Sequence, residues 1–130
     1  MENSSYYKYC YFDKDNLSLY HEISEENFGT KETFVFSMSY FITHIHKYRP
    51  KSLIIKILKK KPDYFELTMN SFIQPTLYKV INDINLEKIA FFLLHKEYYN
   101  ELKVYERDDS LKVKFFLDIE EAKQWVINQD

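Results

Sequence analysis

The chain has 130 residues, 15.9 kDa, 45% hydrophobic and 29% charged side chains and a net charge of −2, the size and balance of one soluble globular domain over residues 1–130. Its single Gly excludes the dinucleotide fingerprint and the P-loop, which need several glycines where backbone meets phosphate. Its single Cys excludes an internal disulfide and a paired-thiol zinc site.

Residues 1–5 are polar and lack the apolar core of a signal peptide, and no stretch approaches the roughly 18 apolar residues of a membrane span. The expected setting is the reducing cytoplasm. Residues 6–12 are ring-rich and β-prone, Asp13-Lys14-Asp15-Asn16 is a polar turn, and residues 17–23 form a second run with Leu17, Leu19 and His21 on one face. Together they predict a hairpin. Thr30 is the expected N-cap of the next helix, with Glu32 in its first turn and Gly29 where the entering chain bends. Phe34, Met38, Phe41, Ile45 and Tyr48 then make an apolar helical stripe, closed by Pro50.

Leu53-Ile54-Ile55 and Ile57-Leu58 read as a strand buried on both faces. Pro75 suits the first turn of a second helix with Leu77, Val80, Ile81 and Ile84 inward. Residues 89–94 form another wholly apolar strand, and Tyr98, Leu102 and Tyr105 mark a third helix ending near 107–110. Residues 113–117 are the last strand, after which Asp118 caps a helix with Ile119, Ala122, Trp125 and Val126 inward. The order ββαβαβαβα predicts an α/β domain. Its sheet is mostly parallel and five-stranded, with an antiparallel hairpin at its start and about four helices.

That order, and the ending Lys114-Phe115-Phe116-Leu117-Asp118-Ile119-Glu120-Glu121-Ala122-Lys123-Gln124-Trp125-Val126, resemble the STAS-like fold of anti-sigma-factor antagonists and of the related SpoIIAA-like proteins. Weaker echoes are Lys88-Ile89-Ala90 and Ile73-Gln74-Pro75-Thr76-Leu77. The resemblance implies a bacterial, non-enzymatic regulatory domain acting through protein contacts. It also implies a switchable serine near the helix after the third strand, for which the nearest match is Ser71. There Asn70 stands where the family has Asp, and Pro75 moves the helix start past the serine. Because a related fold serves lipid transfer, a small apolar ligand in an aromatic-lined cavity is the alternative function.

Residues alone supply no catalytic constellation and imply no cofactor. His44 and His46 are two apart in a predicted helix, about 200° round its axis, so they cannot share a metal. His21 and His95 have no neighbour in sequence that marks them as ligands or bases, and Cys10 reads as a small buried hydrophobe. Asp108-Asp109 and Glu120-Glu121 lie at helix ends. No metal site is expected.

Charge is unevenly divided. Residues 1–32 carry 3 basic and 7 acidic side chains, residues 33–62 carry 7 basic and none acidic, and the remainder 8 and 13. Lys47, Arg49 and Lys51 precede the third strand while Lys59, Lys60 and Lys61 follow it, so only the last three stand at the carboxyl end where α/β ligands bind. Those three are the candidate anion site. A pI near 6.1 and the lack of an RNP-like motif weigh against sequence-specific nucleic-acid binding, and no nucleic-acid partner is expected. The 24 rings, 12 Tyr, 11 Phe and 1 Trp, exceed what a core of this size takes up. Tyr7, Tyr9 and Tyr11 share one face of the hairpin and are the candidate interface with a protein partner or a second copy.

Overall fold

The computed structural model of the chain describes residues 9–24, 29–58 and 74–128. Its elements are β1 (Cys10–Asp13), β2 (Ser18–Ile23), α1 (Lys31–Tyr48), β3 (Ser52–Ile57), α2 (Gln74–Ile84), β4 (Lys88–Leu93), α3 (Lys96–Leu102), β5 (Arg107–Asp108), β6 (Lys112–Phe116) and α4 (Ile119–Ile127). A 3-10 turn over Lys103–Tyr105 follows α3. The strands form one sheet in the order β1-β2-β3-β4-β6-β5. The four inner strands are parallel and the two edges antiparallel. The architecture is the α/β one that the alternating pattern predicts.

Each parallel step, β2 to β3 to β4 to β6, moves one place in the same direction. Right-handed crossovers that all advance one way put every crossover helix on one face. Accordingly Phe34, Met38, Phe41 and Ile45 of α1, Ile81 and Ile84 of α2 and Tyr98 of α3 pack with Leu19, Ile23, Leu53, Ile55, Ile57, Ile89, Leu93 and Phe115. The opposite face holds a smaller cluster, in which Ala122 and Val126 of α4 meet Ile54, Ala90 and Phe116. The two clusters alternate along each strand, which is why β3 and β4 are apolar almost throughout.

Local chemistry sets the ends. Asp13 Oδ1 accepts from the Asp15 backbone at 3.0 Å and Oδ2 accepts from Asn16 Nδ2 at 2.9 Å, which closes the hairpin turn. Thr30 and Thr33 cap α1 reciprocally, and Asp118 Oδ1 accepts from the Glu120 and Glu121 amides at 2.8 and 3.3 Å. Lys88 is 7% exposed and its Nζ donates to the Trp125 and Asn128 carbonyls, both at 2.7 Å, at the carboxyl end of α4. Trp125 packs on Phe116 with ring centroids 5.7 Å apart.

Several expectations are corrected. The sheet has six strands rather than five, because residues 107–108 pair with β6 instead of ending the third helix. Glu106 extends that short edge, its Oε2 accepting from the Phe115 amide at 2.9 Å. A strand of two polar residues has no periodicity to betray it. For the same reason α3 is shorter than predicted, and Tyr105 is 65% exposed on the 3-10 turn. Leu17 is not a strand residue: it sits in the hairpin turn at φ 55°, exposed. Gly29 does stand at a bend before α1, as expected, and among the described residues the left-handed positions are Leu17, Arg49 and Asn85.

Arg49 closes α1 at φ 46° with its amide on the Ile45 carbonyl at 2.9 Å. A side chain in that region costs about 1–2 kcal/mol, part of which glycine returns as chain entropy, so Arg49→Gly is expected to stabilise by about 0.5–1 kcal/mol in urea melts. Lys88→Ala removes two charge-assisted bonds to the end of α4. Its expected cost is about 2–4 kcal/mol, read from the same melts, with near-UV circular dichroism following the loosening of Trp125.

Candidate functional site

The outer face of α1 carries the most distinctive surface. From residue 33 to residue 45 the helix contains no Asp, Glu, Lys or Arg. The inward stripe accounts for Phe34, Met38, Phe41 and Ile45, yet a surface helix ordinarily charges its other side. Here that side offers Val35, Phe36, Ser39, Tyr40 and Thr43, with Phe36 53% exposed. An open groove of about 640 Å³ runs along it from Lys31 and Glu32 to Thr43. Charge returns only at the ends, as Lys31 and Glu32 in the first turn and Lys47, beside His46, in the last.

Tyr9 is buried and Tyr11 is 53% exposed, stacked on Tyr20 with centroids 4.6 Å apart and planes 5° apart. Tyr9 is thus an interior ring and Tyr11 a surface one; Tyr7 lies outside the described residues. Burial and the nearby Asp13 and Glu22 push the Tyr11 hydroxyl pKa up; burial, Tyr11, Asp13 and Glu120 push that of Tyr20 up to about 12. Both stay neutral phenols. Lys59, Lys60, Lys61 and Ser71 also lie outside the described residues. Lys47, Arg49 and Lys51 are exposed at the amino end of β3, as expected. Because the inner strands step in one direction, they form no topological switch point, the place where open α/β sheets hold ligands.

His44 and His46 do face apart: His44 is buried with Nδ1 3.0 Å from the Tyr40 carbonyl, and His46 is exposed. Among the described residues no three His, Cys, Asp or Glu side chains gather as a metal would need. The carboxylates singled out in the sequence have structural tasks. Asp109 takes Arg107 in a two-point pair at 3.2 and 2.8 Å, and Glu120 stands 3.7 Å from Lys123. No helix of the described residues is long and apolar enough to cross a membrane.

One pair went unremarked in sequence. Cys10 and His21 are directly opposed across β1 and β2, both facing the main core, at 3% and 2% exposure. His21 stacks on Phe41 at 4.2 Å, and neither ring nitrogen meets a partner of full hydrogen-bond geometry among the described residues. Burial pushes its pKa down to about 3, with the Tyr9 backbone opposing and His44 adding to the fall. Burial pushes the Cys10 thiol up to about 12. Neutral thiol beside neutral imidazole is the reverse of an activated Cys–His couple. The pair is a packing element.

Set against protein-family models, curated proteins and solved structures, the chain matches none.

The buried imidazole predicts an acid limb in stability. Above pH 6.5 His21 is neutral folded or unfolded; below it the unfolded chain gains a proton that the folded chain refuses down to about pH 3. Stability therefore falls as pH falls through that window, by about 2 kcal/mol at pH 5 from this residue alone. Urea melts at pH 7.5 and pH 5 measure it, and His21→Phe or His21→Leu should remove this part of the loss.

Proposed function

We propose that the chain is a non-enzymatic regulatory, protein-binding domain of STAS/SpoIIAA-like type that works in the cytoplasm. The observation that carries this reading is the uncharged outer face of α1, with Phe36 53% exposed between charged ends. Such a face resembles the core of an interface, depleted of charge and anchored on an aromatic ring. The element order and the strand–helix ending centred on Phe116 and Trp125 add the family likeness. Tyr11, stacked on Tyr20, offers a second and more polar contact at the sheet edge.

The carrier reading has the apolar lining of the α1 groove in its favour, since small apolar molecules bind where such lining concentrates. The groove is open along the helix rather than a chamber between helix and sheet, which suits a protein surface better. Two measurements separate the readings. Benzoylphenylalanine in place of Phe36, irradiated in the expressing cell, should yield a discrete polypeptide adduct. Native mass spectrometry of the purified chain should show no co-purifying small molecule. A small-molecule adduct removed by denaturation, with no polypeptide cross-link, replaces this reading with the carrier.

A further inference from the structure

We infer that Tyr11 and Tyr20 form an oxidative modification site, where a haem peroxidase and hydrogen peroxide join the two rings as dityrosine. Strand register brings the pair together. Tyr11 and Tyr20 are direct partners across β1 and β2, and directly opposed strand residues share a face of the sheet. Their ring centroids are 4.6 Å apart and their planes 5° apart. Rings in contact at about 3.5 Å between planes are then offset rather than eclipsed, so the rim of each lies against its partner. Tyr20 is half-buried beside the α4 cluster, whereas Tyr11 is 53% exposed and open to an oxidant. The exposed ring turns from stacked to edge-to-edge about its own side-chain bonds. The backbone stays fixed meanwhile, because β3 pairs with the other side of β2 and Asp13 closes the turn.

The chemistry balances within this pair. Each phenol gives up its hydroxyl hydrogen as one electron and one proton, and together these reduce one hydrogen peroxide to two waters. The two phenoxyl radicals then form one carbon–carbon bond between the ring positions next to their oxygens. Each of those carbons passes its hydrogen to its own oxygen, so both rings become phenols again. The chain loses two hydrogen atoms and nothing else. Protons have a way out: Glu22 stands near Tyr11 and Glu120 near Tyr20. A cavity of about 50 Å³ beside both rings, shared with Glu22 and Lys56, has room for a water to carry them. Two rings on one hairpin have an effective concentration of about millimolar or more, so in dilute solution they couple to each other before either meets a second chain. Exposed rings elsewhere lack such a partner: Tyr48 stacks on Phe12, which has no hydroxyl.

Treatment of the purified full chain, at low micromolar concentration, with a haem peroxidase and hydrogen peroxide tests the site. Free tyrosine coupling in a parallel tube proves the oxidant. The expected product is a monomer lighter by two hydrogens, with dityrosine fluorescence, whose proteolytic map contains one peptide joining Tyr11 to Tyr20. Tyr11→Phe and Tyr20→Phe should each lower the monomeric product at least tenfold with far-UV circular dichroism unchanged. Tyr48→Phe and Tyr105→Phe, at other exposed rings, should leave it intact. A link that maps to other tyrosines overturns the inference, as do covalent dimers in place of the monomeric link. A chain that emerges unlinked while free tyrosine couples overturns it equally.

Discussion

Lys88 stands on the central strand with its side chain on the face that α4 alone among the described helices covers, and its ammonium donates to two carbonyls at the end of that helix. Four carbonyls at a helix end have no partner within the helix, and the dipole leaves that end negative. A cation placed there satisfies both needs at once. The Trp125 ring lies 5.0 Å from the same ammonium, so the charge also pins the largest side chain of α4. The cost of burying an ammonium is offset by these contacts, and through them the second core cluster of Ile54, Ala90, Phe116, Ala122 and Val126 stays closed.

The need for such a tether follows from topology. Crossovers that advance in one direction place α1, α2 and α3 together and would leave the other face of the parallel strands bare. The return helix after β6 is the means of covering it. Asp118 holds its amino end through the Glu120 and Glu121 amides and Lys88 holds its carboxyl end, so nine residues are fixed at both termini. The same topology denies the sheet a switch-point crevice, which turns attention from the strand ends to the helix surfaces as places of contact.

Local pattern made much of this legible from the amino acids. Phe34, Met38, Phe41 and Ile45 recur at helical spacing and are the inward face of α1; Asp118 and Thr30 are capping types and do cap. What stayed hidden depends on partners distant in sequence. Lys88 reads as a polar strand end until residues 37 and 40 places later bring their carbonyls to it. β5 is two exposed polar residues whose only mark is pairing with β6. His21 looks like any alternate strand residue, yet register sets it in a row with Ile55, Phe91 and Phe115. Gly29 stands at the bend expected of it, while among the described residues Leu17, Arg49 and Asn85 adopt left-handed backbone, and of these Asn85 alone is a type that tolerates it readily.

The outward side of α1 was in plain view in the sequence, but as an absence, and stripe-counting attends to what is present. Of the thirteen residues without a formal charge, six are buried (Phe34, Ser37, Met38, Phe41, His44 and Ile45), and the other seven lie outside that buried set. The excess of rings drew attention to the hairpin instead. There the structure divides the tyrosines: Tyr9 turns into the interior, and Tyr11 lies flat on Tyr20 so that each ring already covers part of the other. A stacked pair presents hydroxyls and ring edges, which water accepts at little cost. Phe36 has no hydroxyl to present, and it is 53% exposed on a helix capped at both ends. That difference in chemistry sets the uncharged outer side of α1 apart from the tyrosine pair of the hairpin as a surface.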